Sequence, residues 1–426
     1  MGAEARIFSR AAWRLIPFMG LLYIVSFLDR VNVGFAALTM NADIGLDTTA
    51  YGVGAGIFFI GYFVFEVPSN AILERVGARV WIFRITLTWG IVSMSTAFVR
   101  GPHAFYFVRF LLGAAEAGFF PGMVLYLTFW FPEAMRARFI SLFMVAIPLA
   151  SVIGSPLSGY ILTFEGTRGL HGWQWLFLIE GCPSCLLAFV TLAYLPDRPS
   201  RARWLAASDA TVIESRLKLE APPAGDLLSC FTDARVWFLS LADFGIVTGL
   251  YGIGLWLPQM IKALGYSTFT TGFIVAVPYV ASVVGMIAWG VSSDRSRERI
   301  WHVAIAAALA AAALAFAAIR HGPSEQVLAL SVAAVGIYAS LSTFWALPPS
   351  FLGGSAAAGG IAFINSISNL GGFVGPSLMG WLKTVTGGYS AGMVVLSVLL
   401  TASALVVLLI GHFFSFEARP TLKAPT

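Results

Sequence analysis

Two adjacent residues of opposite charge, Asp29 and Arg30, lie in the middle of the first hydrophobic segment of this 426-residue chain. The segment runs from about Leu15 to Met40, and the neighbours of the pair on both sides are apolar. On insertion scales, each charge at the centre of a membrane helix costs about 2.5–3.5 kcal/mol. A chain that keeps both charges is expected to hold them in a protein-lined cavity, where such residues mark a substrate or ion pathway.

The arginine of this pair suggests binding of an anion. A guanidinium is permanently charged and fits a carboxylate with two parallel hydrogen bonds. Adjacent residues on a helix point about 100° apart, so Asp29 is poorly placed to pair with Arg30. We therefore predict that Arg30 binds a substrate carboxylate; the alternative is that it only neutralises Asp29.

Other polar residues fall at the same depth of the predicted spans. With a rise of about 1.5 Å per residue, Asp29, Tyr62 and Glu116 lie roughly 15–18 Å from the outer membrane face. Asn369 lies about 15 Å from the inner face. Arg109 is seven residues before Glu116 and therefore on the same helical face. This convergence predicts a central binding cavity.

Asp29 and Glu116 are the candidate proton carriers. The proton affinity of a buried carboxyl group depends on the charges beside it, so binding of an anion to a neighbouring arginine can change it. The alternative is a structural ion pair, for example between Glu116 and Arg109. For Arg109, that structural role and a contact with the substrate are both open.

Neutral side chains in the spans could bind substrate hydroxyl groups: Tyr62, Tyr251, Trp345, Asn365 and Asn369. The two asparagines are four residues apart and share a helical face. Three further acids are expected to have structural roles: Glu66, Glu180 and Asp243. Glu66 precedes Pro68 near the inner end of its span, where we expect it to bond loop groups, and Asp243 lies within two turns of the start of its span.

Composition sets the class of protein. The chain is 58% hydrophobic and 11% charged, whereas soluble proteins carry about 25% charged residues. Long apolar stretches indicate helices and not an outer-membrane barrel. The net charge of +5 lies mainly in short loops and does not suggest nucleic acid. We expect no metal, no cofactor other than a coupling proton, and no enzyme activity, because no nucleophile and base set appears.

Twelve segments are long enough to span a membrane, at about 20 residues each. They are approximately 15–39, 51–73, 80–99, 104–130, 139–163, 173–195, 236–261, 269–291, 302–320, 327–348, 359–382 and 390–413. Lysine and arginine are concentrated in alternate loops. By the positive-inside rule both termini are cytoplasmic, in the inner membrane.

A polar segment divides the spans six and six. We predict an N-terminal half (1–195), a cytoplasmic linker (196–235) and a C-terminal half (236–426). The second span of each half is followed by a similar loop, NAILERVGAR and GVSSDRSRER. These loops contain the acid-arginine pairs Glu74-Arg75 and Asp294-Arg295, which we assign to gating. Two matching halves indicate parallel repeats, with the substrate site at the midplane between them.

Both loops resemble the motif G-x-x-x-D-R-x-G-R of the major facilitator superfamily, although Asn70 and Glu74 depart from it in the first copy. FLDRVNVGFA (27–36), RFLLGAAEAGFFPGMVLYLTFWFP (109–132) and INSISNLGGFVGP (364–376) are similar to the anion:cation symporter family, and to its bacterial tartrate-type members in particular. The resemblance implies an all-α membrane fold of twelve helices and proton-coupled uptake of an organic carboxylate. In sugar-acid members, acids matching Asp29 and Glu116 are the protonation sites. Phe27 stands where those members can carry tyrosine, which weakens the case for a sugar acid.

The resulting hypothesis is a monomeric symporter that imports a small organic anion, such as a tartrate-like hydroxy acid, a sugar acid or an aromatic acid, together with protons across the lipid bilayer. One alternative is a drug:proton antiporter on the same fold. Another is a transporter-like membrane sensor that binds its ligand and signals through a partner.

Overall fold

The computed structural model describes residues 3–219, 232–320, 322–348 and 354–413, and these residues contain helices and no β-strand. The N-terminal part forms α1 (Ala3–Asp43), α2 (Thr48–Val76), α3 (Ala78–Ser95), α4 (Pro102–Glu116), α5 (Phe119–Thr128), α6 (Glu133–Ile161), α7 (Gly172–Tyr194) and α8 (Ala207–Leu219). The C-terminal part forms α9 (Ala234–Gly254), α10 (Leu257–Lys262), α11 (Thr268–Ser296), α12 (Ile300–Ile319), α13 (Pro323–Phe344), α14 (Gly354–Thr386) and α15 (Ser390–Phe413).

The helices account for the twelve predicted spans. Within the described residues, eleven helical segments are long and apolar enough to cross a membrane. The remaining predicted span corresponds to α14, which has 33 residues. This helix is long enough to cross a membrane. The all-α, twelve-helix prediction is therefore confirmed.

The fourth span is broken in the middle of the membrane. Helix α4 ends at Glu116 and α5 begins at Phe119. Between them, Gly118 has φ +81°, a left-handed conformation that side chains other than glycine rarely adopt. A Cβ atom at Gly118 would also approach the side chain of Ser69. The break places Glu116 at a helix terminus, which faces the centre of the molecule.

The two sets of six spans pack internally and then against each other. In the first set α3 lies on α7, α2 on α4, and α1 on both α6 and α7. In the second set α9 lies on α14, α12 on α13 and α15, and α11 on α13. Between the sets, α2 packs on α14 and α6 packs on α11. Each of these pairs joins the second span of one set to the fifth span of the other, which is the relation expected of parallel repeats.

At one end of the molecule these two helix pairs approach very closely. A Cβ atom on Gly159 of α6 would lie 2.9 Å from the Cα atom of Gly272 in α11. In the other pair, the hydroxyls of Thr48 and Thr384 lie 2.5 Å apart, at the start of α2 and near the end of α14. Small residues allow this approach of helix backbones in a membrane. The two halves are therefore closed against each other at this end, which is the outer end in the predicted orientation.

The cytoplasmic linker of the sequence prediction contains α8, which contacts the first turns of α1. Arg10 and Asp209 form an ion pair at 3.5 Å, and Trp204 stacks on Trp130 with ring centroids 5.7 Å apart. An exposed ion pair of this kind contributes about 0–1 kcal/mol. An aromatic pair such as the two stacked indoles contributes about 0.5–1.5 kcal/mol beyond the area that it buries. The indoles therefore contribute at least as much as the ion pair to holding the linker on the N-terminal half.

Candidate functional site

A cavity of about 60 Å³ lies between the two halves near the middle of the spans. Its wall on the N-terminal side includes Phe27, Arg30, Tyr62, Phe120 and Met144. Its wall on the C-terminal side includes Asp243, Tyr251, Trp345, Asn365, Ser368 and Asn369. One wall thus carries the arginine and the other carries an acid with several amides and hydroxyls.

Arg30 is the centre of this site. One guanidinium nitrogen donates to the carboxylate of Glu116 at 2.5 Å, and the other donates to the hydroxyl of Tyr251 at 2.9 Å. The rings of Phe27 and Tyr62 lie 4.7 and 5.5 Å from the guanidinium carbon. Because α1 carries Arg30 and α9 carries Tyr251, this arginine connects the two halves across the cavity.

Glu116 is fully buried and shares one carboxylate oxygen between two donors. Oε1 accepts from Arg30 and, at 2.5 Å, from the hydroxyl of Ser26. Among the described residues, Oε2 has no hydrogen-bond partner. The ion pair between Glu116 and Arg109, which was the alternative to a proton-carrying role, is not formed, and Glu116 pairs with Arg30 instead.

Asp29 faces away from the cavity. It is fully buried and accepts hydrogen bonds from the indole of Trp89 at 3.0 Å, from Ser93 at 2.7 Å and from Ser184 at 2.5 Å. These donors lie on α3 and α7, so the aspartate sits inside the N-terminal half. The predicted divergence of Asp29 and Arg30 is observed, but the prediction that Asp29 shares the cavity is wrong. Its role as a proton carrier stays a prediction.

Arg109 also lies outside the cavity wall. It is fully buried, donates to the carbonyl of Ala55 at 3.2 Å and packs over the ring of Phe58. Seven residues along a helix are about 10 Å, so Arg109 lies well above Glu116 even though the two share a face. The expected convergence of the two residues in one cavity is wrong for Arg109, because alignment on a face does not bring residues to the same level.

The five neutral residues predicted from the sequence are brought together. All of them line the cavity: Tyr62, Tyr251, Trp345, Asn365 and Asn369. They come from four spans that are far apart in the chain. Their roles in substrate binding stay a prediction.

Two acids that the sequence analysis treated as structural lie at or beside this site. Glu66 accepts from the amide of Asn365 at 2.6 Å and from the hydroxyl of Ser366 at 3.0 Å, and it therefore joins α2 to α14. The expectation that Glu66 bonds loop groups is wrong, because α14 lies directly opposite this turn of α2. Asp243 lines the cavity itself.

The acid-arginine pairs of the two repeated loops lie at the ends of α2 and α11. Glu74, Arg75, Asp294 and Arg295 are all exposed. Asp294 forms an ion pair at 2.5 Å with Arg299, and not with its neighbour Arg295. Their assignment to gating stays a prediction. In the part of the chain that the structure describes, no three histidine, cysteine or acidic side chains are grouped as a metal site would require.

Comparisons with known proteins agree on the class. The family model described as the Major Facilitator Superfamily matches residues 19–376. The chain is 51% identical over 413 residues to an Agrobacterium vitis protein named "Putative tartrate transporter", covering 96% of this chain and 92% of that protein. It is 41% identical over 406 residues to an Acinetobacter baumannii protein named "Quinolone resistance transporter", covering 94% of each chain. Its fold is similar to the inward-facing, unoccupied crystal structure of a bacterial homolog of the human lysosomal transporter Spinster, with a TM-score of 0.76, 16% identity and coverage of 92% and 95%.

Proposed function

Since the chain belongs to the Major Facilitator Superfamily and is a membrane transporter, we propose that it imports a small organic carboxylate together with protons by alternating access. The cell membrane that it occupies is the cytoplasmic one, with both termini inside. It acts as a monomer, because each chain has a complete cavity between its own two halves.

The observation that carries this proposal is the ion pair between Arg30, which lines the cavity, and Glu116, which is fully buried behind it. Arg30 holds Glu116 with one nitrogen and Tyr251 with the other. A substrate carboxylate that enters the cavity competes with Glu116 for the guanidinium, since both present the same group to it. Substrate binding therefore releases Glu116 from its cation.

Release of Glu116 couples the substrate to a proton. A buried carboxylate without a cation is costly, and a bound proton removes that cost. The empty cavity contains the neutral pair of Arg30 and Glu116. The loaded cavity contains a carboxylate on Arg30 and a proton on Glu116, which is again neutral. The exchange at Arg30 then moves no net charge through the membrane, with one proton on Glu116 for each monocarboxylate.

Asp29 is the second proposed proton carrier. Its three hydrogen-bond donors lie on α3 and α7 of the same half. A proton on Asp29 would change these bonds and with them the packing of α1. We assign the direct exchange with substrate to Glu116, because Glu116 contacts Arg30 and Asp29 does not.

The relatives' names favour different substrates. The Agrobacterium vitis relative is named for tartrate, which supports a hydroxy acid. The Acinetobacter baumannii relative is named for quinolone resistance, which supports a second candidate function, export of an aromatic drug in exchange for protons. The aromatic side chains around the cavity, such as Phe27 and Trp345, are compatible with that second function. Resistance to aromatic drugs in cells that overproduce the protein would favour this second function.

Uptake by reconstituted protein tests the proposal. Proteoliposomes with an inward proton gradient receive radiolabelled tartrate, a sugar acid or an aromatic acid. We expect the wild type to accumulate at least one of these acids, and we expect this accumulation to stop when a protonophore dissipates the gradient. Glu116→Gln is expected to lose gradient-driven accumulation but to keep exchange of labelled for unlabelled substrate, because glutamine cannot carry the proton.

Glu325→Gln is the matched control, since it makes the same change at an exposed position in the first turn of α13. It is expected to behave as the wild type. The proposal fails if no acid accumulates under any proton gradient, or if Glu116→Gln accumulates substrate as well as the wild type does.

A further inference from the structure

Asp243 is the acid in the cavity that the proposed transport cycle does not use. It lies on α9, is fully buried and lines the C-terminal wall of the cavity. Within the described residues, neither of its carboxylate oxygens has a hydrogen-bond partner. By contrast, Asp29 has three donors and Glu66 has two. Buried polar groups are nearly always bonded, so this carboxylate points to a missing partner.

The donors beside Asp243 are committed to other acceptors. Ser368 lies next to it in the cavity wall and close enough to donate to it, but a hydroxyl has a single hydrogen, and the hydroxyl of Ser368 also bonds the carbonyl of Ile364 at 2.7 Å. The amide of Asn365 donates to Glu66. The cavity-lining guanidinium of Arg30 is bonded to Glu116 and Tyr251. At most the one hydroxyl of Ser368 can donate to Asp243, so the rest of this carboxylate needs donors from outside these side chains.

The chemistry of the carboxylate limits what that group can be. An ionised carboxylate only accepts hydrogen bonds. A carboxylate in direct contact with Asp243 would be repelled, whereas a hydroxyl group would be bound, so in a dicarboxylate such as tartrate the hydroxyl groups are the ones that contact it. A substrate whose carboxylate sits on Arg30 in the N-terminal wall has the rest of its atoms facing the opposite wall, where Asp243 and Asn369 lie.

We propose that Asp243 is a specificity-determining residue that accepts hydrogen bonds from the substrate's hydroxyl groups. The cavity then selects hydroxylated carboxylates over the same acids without hydroxyls. An acid without the hydroxyl leaves the buried acceptor unpaired, and sites of this kind reject such analogues strongly. This inference rests on the proposed carboxylate transport and names the substrate class for it.

Three pairs of acids that differ only in hydroxyl groups provide the test: tartrate and succinate, lactate and propionate, and 4-hydroxyphenylacetate and phenylacetate. KM and kcat are measured by exchange in proteoliposomes for the pair that the wild type carries. We expect the wild type to prefer the hydroxylated acid by about 10- to 100-fold in KM, the range for a hydrogen bond to a charged group. Asp243→Leu should abolish the preference by raising KM for the hydroxylated acid alone. Asp243→Asn should reduce it in part, because its amide oxygen still accepts.

Asp233→Asn is the matched control on the same helix. Asp233 caps α9 outside the cavity and contacts Arg235, and its replacement should leave the preference unchanged. Asp243→Asn keeps the shape of the side chain. If Asp243→Leu does not fold, the partial loss of preference expected in Asp243→Asn is therefore the test of the proposal.

Several outcomes contradict the inference. Equal losses for both members of a pair would show that Asp243 serves anion binding in general. Loss of gradient-driven accumulation, with exchange and preference unchanged, would show that it carries a proton. A wild type that transports acids without preferring the hydroxylated ones overturns this inference alone. A wild type that transports none of the six acids overturns the proposed function, and the inference with it.

Discussion

At the scale of single residues, the arrangement around Arg30 combines a permanent charge with an exchangeable partner. Removing one member of a buried ion pair costs about 3–5 kcal/mol, because the other charge stays behind in a medium of low dielectric constant. Glu116 therefore holds Arg30 in the empty carrier. In the proposed cycle a substrate carboxylate takes the place of Glu116, and the pair then acts as a switch between the loaded and empty states.

Replacement of Arg30 by lysine tests the shape of the cation, since the charge is kept. Arg30 donates from two nitrogens, to Glu116 and to Tyr251, in a planar fork that an ammonium group cannot reproduce. We expect Arg30→Lys to raise KM for the transported acid by at least about tenfold, the equivalent of one lost hydrogen bond to a charge. Uptake kinetics in proteoliposomes measure this.

Arg84→Lys is the control for that change, because Arg84 lies on α3, packs on Trp81 and is not in the cavity wall. Its KM should equal that of the wild type. If Arg30→Lys had the KM of the wild type, Arg30 would not be the residue that binds the substrate carboxylate.

At this scale the sequence identifies the polar residues of the spans, but it does not tell for every one of them which way its side chain points. Arg30, Tyr62 and Asn369 line the cavity as predicted, whereas Asp29 and Arg109 face other helices. The sequence predicts that Asp243 lies near the end of a span. It lies nine residues into α9, about 13 Å from its start, and that depth was the signal that could have drawn attention to it.

At the scale of helices, glycines decide how the halves meet. Gly159 and Gly272 bring α6 and α11 together, and Gly52 of α2 lies against the backbone of α14 at Pro376 and Gly380. These contacts occur between the helices that pair the two halves. Any larger side chain at these glycines holds the helices apart at this end.

Gly159→Leu is therefore expected to prevent closure of the outer end. Its Cβ atom alone would lie 2.9 Å from Gly272, and the neighbouring atoms are backbone atoms that cannot rotate away. We expect the uptake rate to fall by at least about tenfold, because each transport cycle requires this end to close. Initial rates in proteoliposomes are compared at equal amounts of folded protein, judged by gel filtration.

Gly20→Leu makes the same substitution on α1 at a position with no atom within 4 Å of an added Cβ. It should transport at the wild-type rate. If Gly159→Leu did so too, close packing of α6 on α11 would not be needed for transport.

At the scale of the whole molecule, the two halves are closed at one end. Alternating access requires the helix pairs between them to separate there in another state. The hydroxyls of Thr48 and Thr384 mark the place, on α2 and α14. Because these two side chains are in contact, a disulfide bond between the two positions tests whether α2 and α14 have to separate there during transport.

A disulfide between cysteines at positions 48 and 384 is expected to stop transport reversibly. The background for this test has Cys182, Cys185 and Cys230 replaced by serine. The two hydroxyl oxygens lie 2.5 Å apart, close to the roughly 2.05 Å of a disulfide bond. Oxidation should abolish uptake in the protein with Thr48→Cys and Thr384→Cys, and reduction should restore it.

The single variants Thr48→Cys and Thr384→Cys should be insensitive to the oxidant. Continued uptake by the oxidised double variant, with the crosslink verified by mass spectrometry, would mean that the halves do not separate at this end during the cycle.

The sequence by itself determined the class of protein, the number and position of the spans, and the polar residues that lie within them. These properties depend on hydropathy and on the constant rise of a helix, both of which are local along the chain. The tertiary structure alone decided that Arg30 pairs with Glu116, that Glu66 joins α2 to α14, and that Asp29 is enclosed while Asp243 faces the cavity. Each of these depends on the rotation of one helix against another, which is set by packing between residues that are distant in the chain. Asp29 and Arg30 are neighbours in sequence, yet Asp29 bonds side chains of α3 and α7, whereas Arg30 bonds side chains of α4 and α9.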